Sequence, residues 1–271
     1  MTENDTIRIW HQSMTELEEL PQYRTTMEQH AQAVLSGSTR VSVNGLPPGS
    51  YGGLAPSDVL GYPYAYHLVL GHALEAAYQA ERQGYDAFVV GSYSEPFLRE
   101  IRSLVDIPVA SMAESTFLVA CSLGKYQALI ANAPSIARIV STQVQKHGLR
   151  ERVTGVYSVD PPLTENALAV AYQDAGEMID GFTQVARRAI DAGADVVVPA
   201  EGVLAELLWA NGVDHVDDVP VMDSLGVAWH YAEMLVGLWR RTGLRVGRRW
   251  EYPRAPEDIL ARVRGVAGLD G

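Results

Sequence analysis

Ser92 and Glu201 occupy corresponding places in two copies of one sequence pattern. "GYDAFVVGSYSEP" (84–96) and "GADVVVPAEGVLA" (193–205) each open on Gly, place Asp two residues on, run through apolar residues and stop on a polar side chain. Gly84 matches Gly193, Asp86 matches Asp195 and Ser92 matches Glu201, each at a separation of 109 residues (84 to 193, 92 to 201). A glutamate carboxylate is a useful general base in apolar surroundings, and "VVVPAEG" is apolar. A serine hydroxyl is no free-standing base at neutral pH. It donates a hydrogen bond, relays a proton, or attacks once a neighbour takes its proton. His11, in "WHQSMT", is the candidate neighbour. A carboxylate and a hydroxyl facing each other across a substrate favour one-sided chemistry next to a carbonyl: moving a proton or a double bond, or protonating a carbanion after loss of carbon dioxide. Ser92 acting as a nucleophile with His11 or Glu201 gives a hydrolase or decarboxylase instead. Each residue also has a plain structural use, Ser92 as a helix cap, Glu201 in a first helical turn and His11 on a surface loop.

The elements that must position this pair follow from periodicity. "IRIW" (7–10) reads as a buried strand followed by a polar loop, and residues 22–35 read as a helix. "TRVSVNGL" (39–46) alternates as a strand does, and a long Gly/Pro/Tyr loop follows it. Strands and helices then alternate through "HLVLGHALEAAYQAERQG", "YDAFVVG", "IPVAS", "STFLVACSLG", "YQALIAN", "SIARIVSTQVQKHG" and "RVTGVYSV". "ADVVVPA", "VPVMDS" and "GVAWHYAEMLVGLWRRTG" complete the series. Strands that are apolar almost throughout predict α/β architecture with parallel sheets covered on both faces. "IPVASM" (107–112) and "VPVMDS" (219–224) continue the repeat, so the chain predicts two pseudosymmetric α/β halves. The first half takes residues 7–110 and 223–245, the second 111–222, and residues 246–271 form a C-terminal appendage. Ligands bind beyond the carboxyl ends of parallel strands, which places Ser92 and Glu201 on one cleft between the halves.

These motifs resemble the aspartate/glutamate/hydantoin racemase superfamily, most closely its hydantoin-racemase-like branch. "GSYSEP" (91–96) stands where that family has Gly-Cys-aromatic-x-Asp-Pro, and "GADVVVPAE" (193–201), ungapped, stands where it has Gly-Ala-Asp ending in Gly-Cys. The likeness runs over roughly residues 7–245 and includes "HGLRERV" and "VMDSLGVAWHYAE". It implies a cofactor-free enzyme in which two thiols approach opposite faces of a carbon beside a carbonyl or carboxyl group. Here Ser92 and Glu201 replace both thiols. The resemblance therefore implies an isomerase or tautomerase that acts on a small carboxylate or cyclic amide, without symmetric two-base racemisation. A binding protein that has lost the chemistry is the alternative from a different class. The loop after the first strand corresponds to the family's substrate-binding loop, which nominates Gln12 and Ser13. A homo-oligomer is also what the resemblance implies.

Donors for a developing enolate are sought beside the pair. Tyr93, Ser94 and the backbone at Gly202 follow the two strand tips, and Glu114, Ser115 and Asp223 follow neighbouring strands. Tyr51, with Tyr62, Tyr64 and Tyr66, belongs to a loop that either covers the cleft or packs on itself. His67, His72 and His230 fall on helices and read as structural. The single cysteine, Cys121, lies in an apolar helix and matches neither motif. One thiol permits no internal disulfide, and no spacing suggests a metal or a nucleotide. A net charge of −12 argues against a nucleic-acid partner. No apolar run is long enough for a membrane span, and the acidic first residues are unlike a secretion signal. A soluble cytoplasmic protein is expected.

Overall fold

The computed structural model describes residues 6–269, apart from the side chains of Ser57, Glu165 and Asn166. The first half of the chain forms β1 (Ile7–Ser13), α1 (Pro21–Val34), β2 (Thr39–Asn44), α2 (Pro56–Val59), α3 (Pro63–Leu70), α4 (His72–Arg82), β3 (Ala87–Gly91), α5 (Leu98–Leu104) and β4 (Val109–Ser111). Its four strands lie in the order β2-β1-β3-β4, all parallel. The second half follows with α6 (Met112–Leu123), β5 (Gln127–Ala131), α7 (Pro134–Lys146), β6 (Val153–Ser158), α8 (Glu165–Ala171), α9 (Gly176–Asp191), β7 (Val196–Pro199), α10 (Gly202–Ala210), β8 (His215–Val216) and β9 (Val219–Pro220). There β6-β5-β7 form a parallel sheet, and a single parallel bridge from Val197 to Val221 extends it. α11 (Ser224–Thr242) returns to pack on α6 and on β1, β3 and β4, and α12 (Glu257–Val266) lies in the C-terminal segment. Among the described residues, no helix is long and apolar enough to cross a membrane.

The repeat is built the same way twice. Gly84 and Gly193 take left-handed φ values of +74° and +96°, which only glycine adopts without strain, and each closes the helix before its strand. The next residues bond back identically, Tyr85 N–H to the Ala80 carbonyl and Ala194 N–H to the Ala189 carbonyl. Asp86 then accepts the Arg8 N–H at the start of β1 over 2.8 Å. Asp195 accepts the N–H groups of Lys125 and Tyr126, just before β5, over 2.8 and 2.9 Å. Each aspartate thus ties the entry of one strand to the entry of its parallel neighbour and sets their register.

β3 and β7 are buried along their whole length. The pleat sends Phe88 and Val90 into the apolar cluster beneath α4 and α5, and Ala87 and Val89 into the larger cluster shared with the second half. Proline at the first turn starts α1, α2, α3 and α7, where a missing N–H removes no helical bond. Two expectations change. β1 continues through His11, Gln12 and Ser13 because these residues pair with β2 and β3, so they are strand rather than loop. The helix expected over 67–84 is two helices, α3 and α4, meeting at Gly71. The C-terminal segment is bolted to the first half by arginines: Arg254 pairs with Glu81 and Asp106, and Arg264 pairs with Glu75 at 2.8 Å.

Candidate active site

The carboxyl ends of β1, β3, β5 and β7 open on one cavity of about 650 Å³, and both Ser92 and Glu201 line it. Ser13, Tyr51 and Ser94 join the wall from the first half, and Asn132 and Gly202 join it from the second. The two matched strand tips therefore meet at one space.

Ser92 follows β3 directly. Its Oγ lies 2.9 Å from Ser94 Oγ and accepts the Ser94 N–H over 3.1 Å. Two hydroxyls share one internal hydrogen bond, so one O–H of the pair remains to serve a ligand. No described His, Asp or Glu side chain bonds Ser92. The loop beyond it is held in an unusual shape, with left-handed φ at Glu95 (+47°) and Phe97 (+55°). Glu95 anchors this loop. Its buried carboxylate accepts from His147 Nε2 at 2.6 Å, Lys146 Nζ at 3.0 Å, the Glu114 N–H at 3.0 Å and the Ser111 hydroxyl. Burial alone would raise its pKa, but hydrogen bonding to His147 and the charges of His147 and Lys146 hold it down to about 2.

Glu201 caps α10. Its Oε1 accepts the Val203 N–H over 3.0 Å and its Oε2 accepts the Leu204 N–H over 2.7 Å. The bonds to the helix start fix the carboxylate's orientation, and the macrodipole favours its negative charge. Tyr23, from α1, stands beside it. A Cβ added at Gly202 would lie 2.7 Å from the Tyr23 hydroxyl, so only glycine fits there. Burial, then the charges of Glu201 and Glu206, push the Tyr23 phenol well above its ordinary range, and a hydrogen bond with Ser13 offsets a part. Burial and the same two carboxylates also raise Tyr172. Both phenols stay protonated and can only donate or accept as neutral groups.

Several expected site residues lie elsewhere. His11 is fully buried; its Nδ1 accepts the Trp229 indole N–H over 3.1 Å, and its Nε2 faces Gly91 without a partner. Burial pulls it down to about 4, so it is neutral, and among the described residues no hydrogen bond joins it to Ser92. Gln12 spends its side chain on Trp10 and on the Ser13 carbonyl. Tyr93 borders the cavity, but its hydroxyl turns inward to Ser224 and Thr116. Glu114 pairs with Arg102 and borders a separate cavity of about 270 Å³, because the first turn of α6 faces α5 there. Ser115 donates to the Ser111 carbonyl inside α6. Asp223 caps α11 and bonds His30 Nε2 at 3.0 Å. Tyr51 lines the cavity, with its hydroxyl given to the Met14 carbonyl. Tyr66 reaches the Ser94 carbonyl, whereas Tyr62 and Tyr64 are exposed. Cys121, half-buried on α6, is remote from both strand tips in its contacts, touching Gln127.

Among the wall residues absent from the motifs are Glu16, Glu19, Tyr23 and Asn132. Asn132 had a signal, since it directly follows β5 and so holds a strand tip. The others lie on the turn after β1 and on α1, and only the tertiary fold brings them to the cavity.

The chain resembles known proteins in sequence and in fold. The Asp/Glu/Hydantoin racemase family profile matches residues 58–232. A hydantoin racemase of Pseudomonas sp. (strain NS671) is 24% identical over 209 residues, covering 77% of this chain and 80% of that protein. A hydantoin racemase of Rhizobium meliloti is 26% identical over 176 residues, 65% of this chain and 70% of the relative. Among solved structures, the allantoin racemase from Klebsiella pneumoniae superposes with a TM-score of 0.74 at 20% identity, covering 93% of this chain and 94% of that one. The liganded Gly74Cys-Cys188Ser mutant of arylmalonate decarboxylase shares the fold more distantly, with a TM-score of 0.51 at 15% identity over 91% and 97% of the two chains.

Proposed function

The chain belongs to the Asp/Glu/hydantoin racemase family, and on that premise we propose that it is a cofactor-independent isomerase or tautomerase. It moves a proton on a carbon next to a carbonyl of a small molecule, either a cyclic amide or a carboxylate. The observation that carries this reading is the presence of Ser92 and Glu201 on the wall of one cavity at matched strand tips. Glu201, oriented by its capping of α10, takes the proton. The spare O–H of the Ser92–Ser94 pair donates to the oxygen where charge develops or relays the returning proton. Tyr23, kept neutral by its surroundings, is a further donor. With a carboxylate at one of the two matched strand tips and a hydroxyl at the other, proton exchange on one face outruns inversion. Following deuterium uptake and optical rotation together on an enantiopure substituted hydantoin tests this. Exchange faster than loss of rotation is expected; rotation lost in step with exchange contradicts it.

The two capping bonds of Glu201 favour a second reading, a small-molecule binding protein in which the carboxylate has a structural role at α10 and does no chemistry. Saturable binding with no deuterium uptake on any bound compound supports that reading.

A further inference from the structure

We propose that the Ser92–Glu201 cavity selects a neutral cyclic amide bearing a cationic substituent and disfavours carboxylates. The proposal rests on the isomerase reading of this cavity and assigns the charge of its substrate. No described Lys, Arg or His lines the cavity, whereas Glu16, Glu19 and Glu201 do. A substrate carboxylate needs either a cation or unpaired backbone donors. Several backbone donors on the wall are already used. Val203 and Leu204, at the start of α10, donate to Glu201. Ser94 donates to Ser92 Oγ, and Gly49 and Tyr51 both donate to Glu16 at 2.7 Å. The protein's own oxygens hold these donors, so a free amino acid or a malonate meets like charge with no described cation to offset it.

A ring amide fits better. It is uncharged and presents N–H groups, and the wall holds an acceptor for one. Asn132 is 4% exposed, its Nδ2 donates to the Leu163 carbonyl, and its Oδ1 has no partner in the protein. The volume of about 650 Å³ suits a ligand larger than a bare ring. The substituent's charge follows from the turn after β1. Glu16 is fixed there by the 49–51 backbone, and Glu19 is exposed on the same rim with no side-chain bond among the described residues. An ammonium or guanidinium group reaching this rim gains both charges.

Calorimetric titration of the full chain with hydantoins carrying an aminobutyl, a butyl or a carboxyethyl side chain tests the assignment. The aminobutyl compound should bind about tenfold or more tighter than the carboxyethyl compound, with butyl between them and a gap that narrows in high salt. Glu19→Lys, at an exposed position, should close or reverse that order. Equal binding, tighter binding of the carboxyethyl compound, an order unmoved by Glu19→Lys, or no binding of any of the three overturns it. Deuterium uptake on the same compounds separates the two ideas. Preference without exchange leaves the charge assignment standing and removes the isomerase, and exchange without preference does the reverse.

Discussion

Trp229 donates its indole N–H to His11 Nδ1 over 3.1 Å, which holds the imidazole in the core, and among the described residues no hydrogen bond joins it to the Ser92 hydroxyl. A serine whose partners are another serine and a backbone N–H has no base to activate it. Treatment with a serine-directed fluorophosphonate should therefore leave the intact mass unchanged. An adduct that maps to Ser92 contradicts this. Trp229→Phe leaves His11 buried with both ring nitrogens unpaired. Urea unfolding should show a loss of about 1–3 kcal/mol, beyond any effect of the smaller ring.

His30 makes stability depend on alkaline pH. Burial disfavours its charge, but hydrogen bonds to Asp223 and Glu206, at 3.0 Å each, and the charges of both carboxylates raise it to about 9. Its unfolded value lies near 6.5, so the fold binds this proton more tightly. The resulting stability is complete below about pH 6.5 and disappears as pH rises through about 9, an effect on the order of 3 kcal/mol. Glu206, raised mainly by burial, also holds its proton more tightly in the fold, so its own contribution declines with rising pH from its ordinary value of 4.5 upward. The melting temperature of the wild type should fall between these pH values. In His30→Gln the decline should flatten; an equally steep decline in that variant assigns it to other groups.

Glu95 governs the shape of the loop that presents Ser92. Replacing it with Ala strips His147 and Lys146 of their buried partner and should cost about 3 kcal/mol by denaturant titration. Its folded carboxyl lies at about 2, below the ordinary value, so its contribution is present above about pH 4.5 and fades as pH falls through about 2. Turnover should fall further than stability explains, because the left-handed φ at Glu95 and Phe97 relaxes once the anchor is gone. Wild-type turnover in folded Glu95→Ala would detach this loop from the site.

The two strand tips were legible because they rest on local signals repeated at one spacing. Gly84 and Gly193 announce a left-handed helix stop, and Asp86 and Asp195 announce a tie to the next strand. Apolar periodicity then identified the parallel sheets. What remained hidden depends on contacts between distant segments. His11 looked like a loop residue because a histidine in a strand makes sense only once Trp229, 218 positions away, is known to meet it. Glu95 lay inside a motif already singled out, yet its partners Lys146 and His147 are the last residue of α7 and the one after it. Glu114 and Asp223 follow strands as site residues do, but each faces a helix instead of the cavity.

Exchange of the proton beside the carbonyl, followed by magnetic resonance in deuterium oxide on a hydantoin that binds the cavity, tests the assignment of Glu201 as base most directly. The amide in Glu201→Gln keeps the side chain's length and an acceptor for the start of α10, so the fold should persist. The account predicts measurable exchange by the wild type and a loss of about 10²–10⁴-fold in Glu201→Gln, with a smaller loss in Ser92→Ala. Exchange at the wild-type rate in a folded Glu201→Gln protein would contradict it.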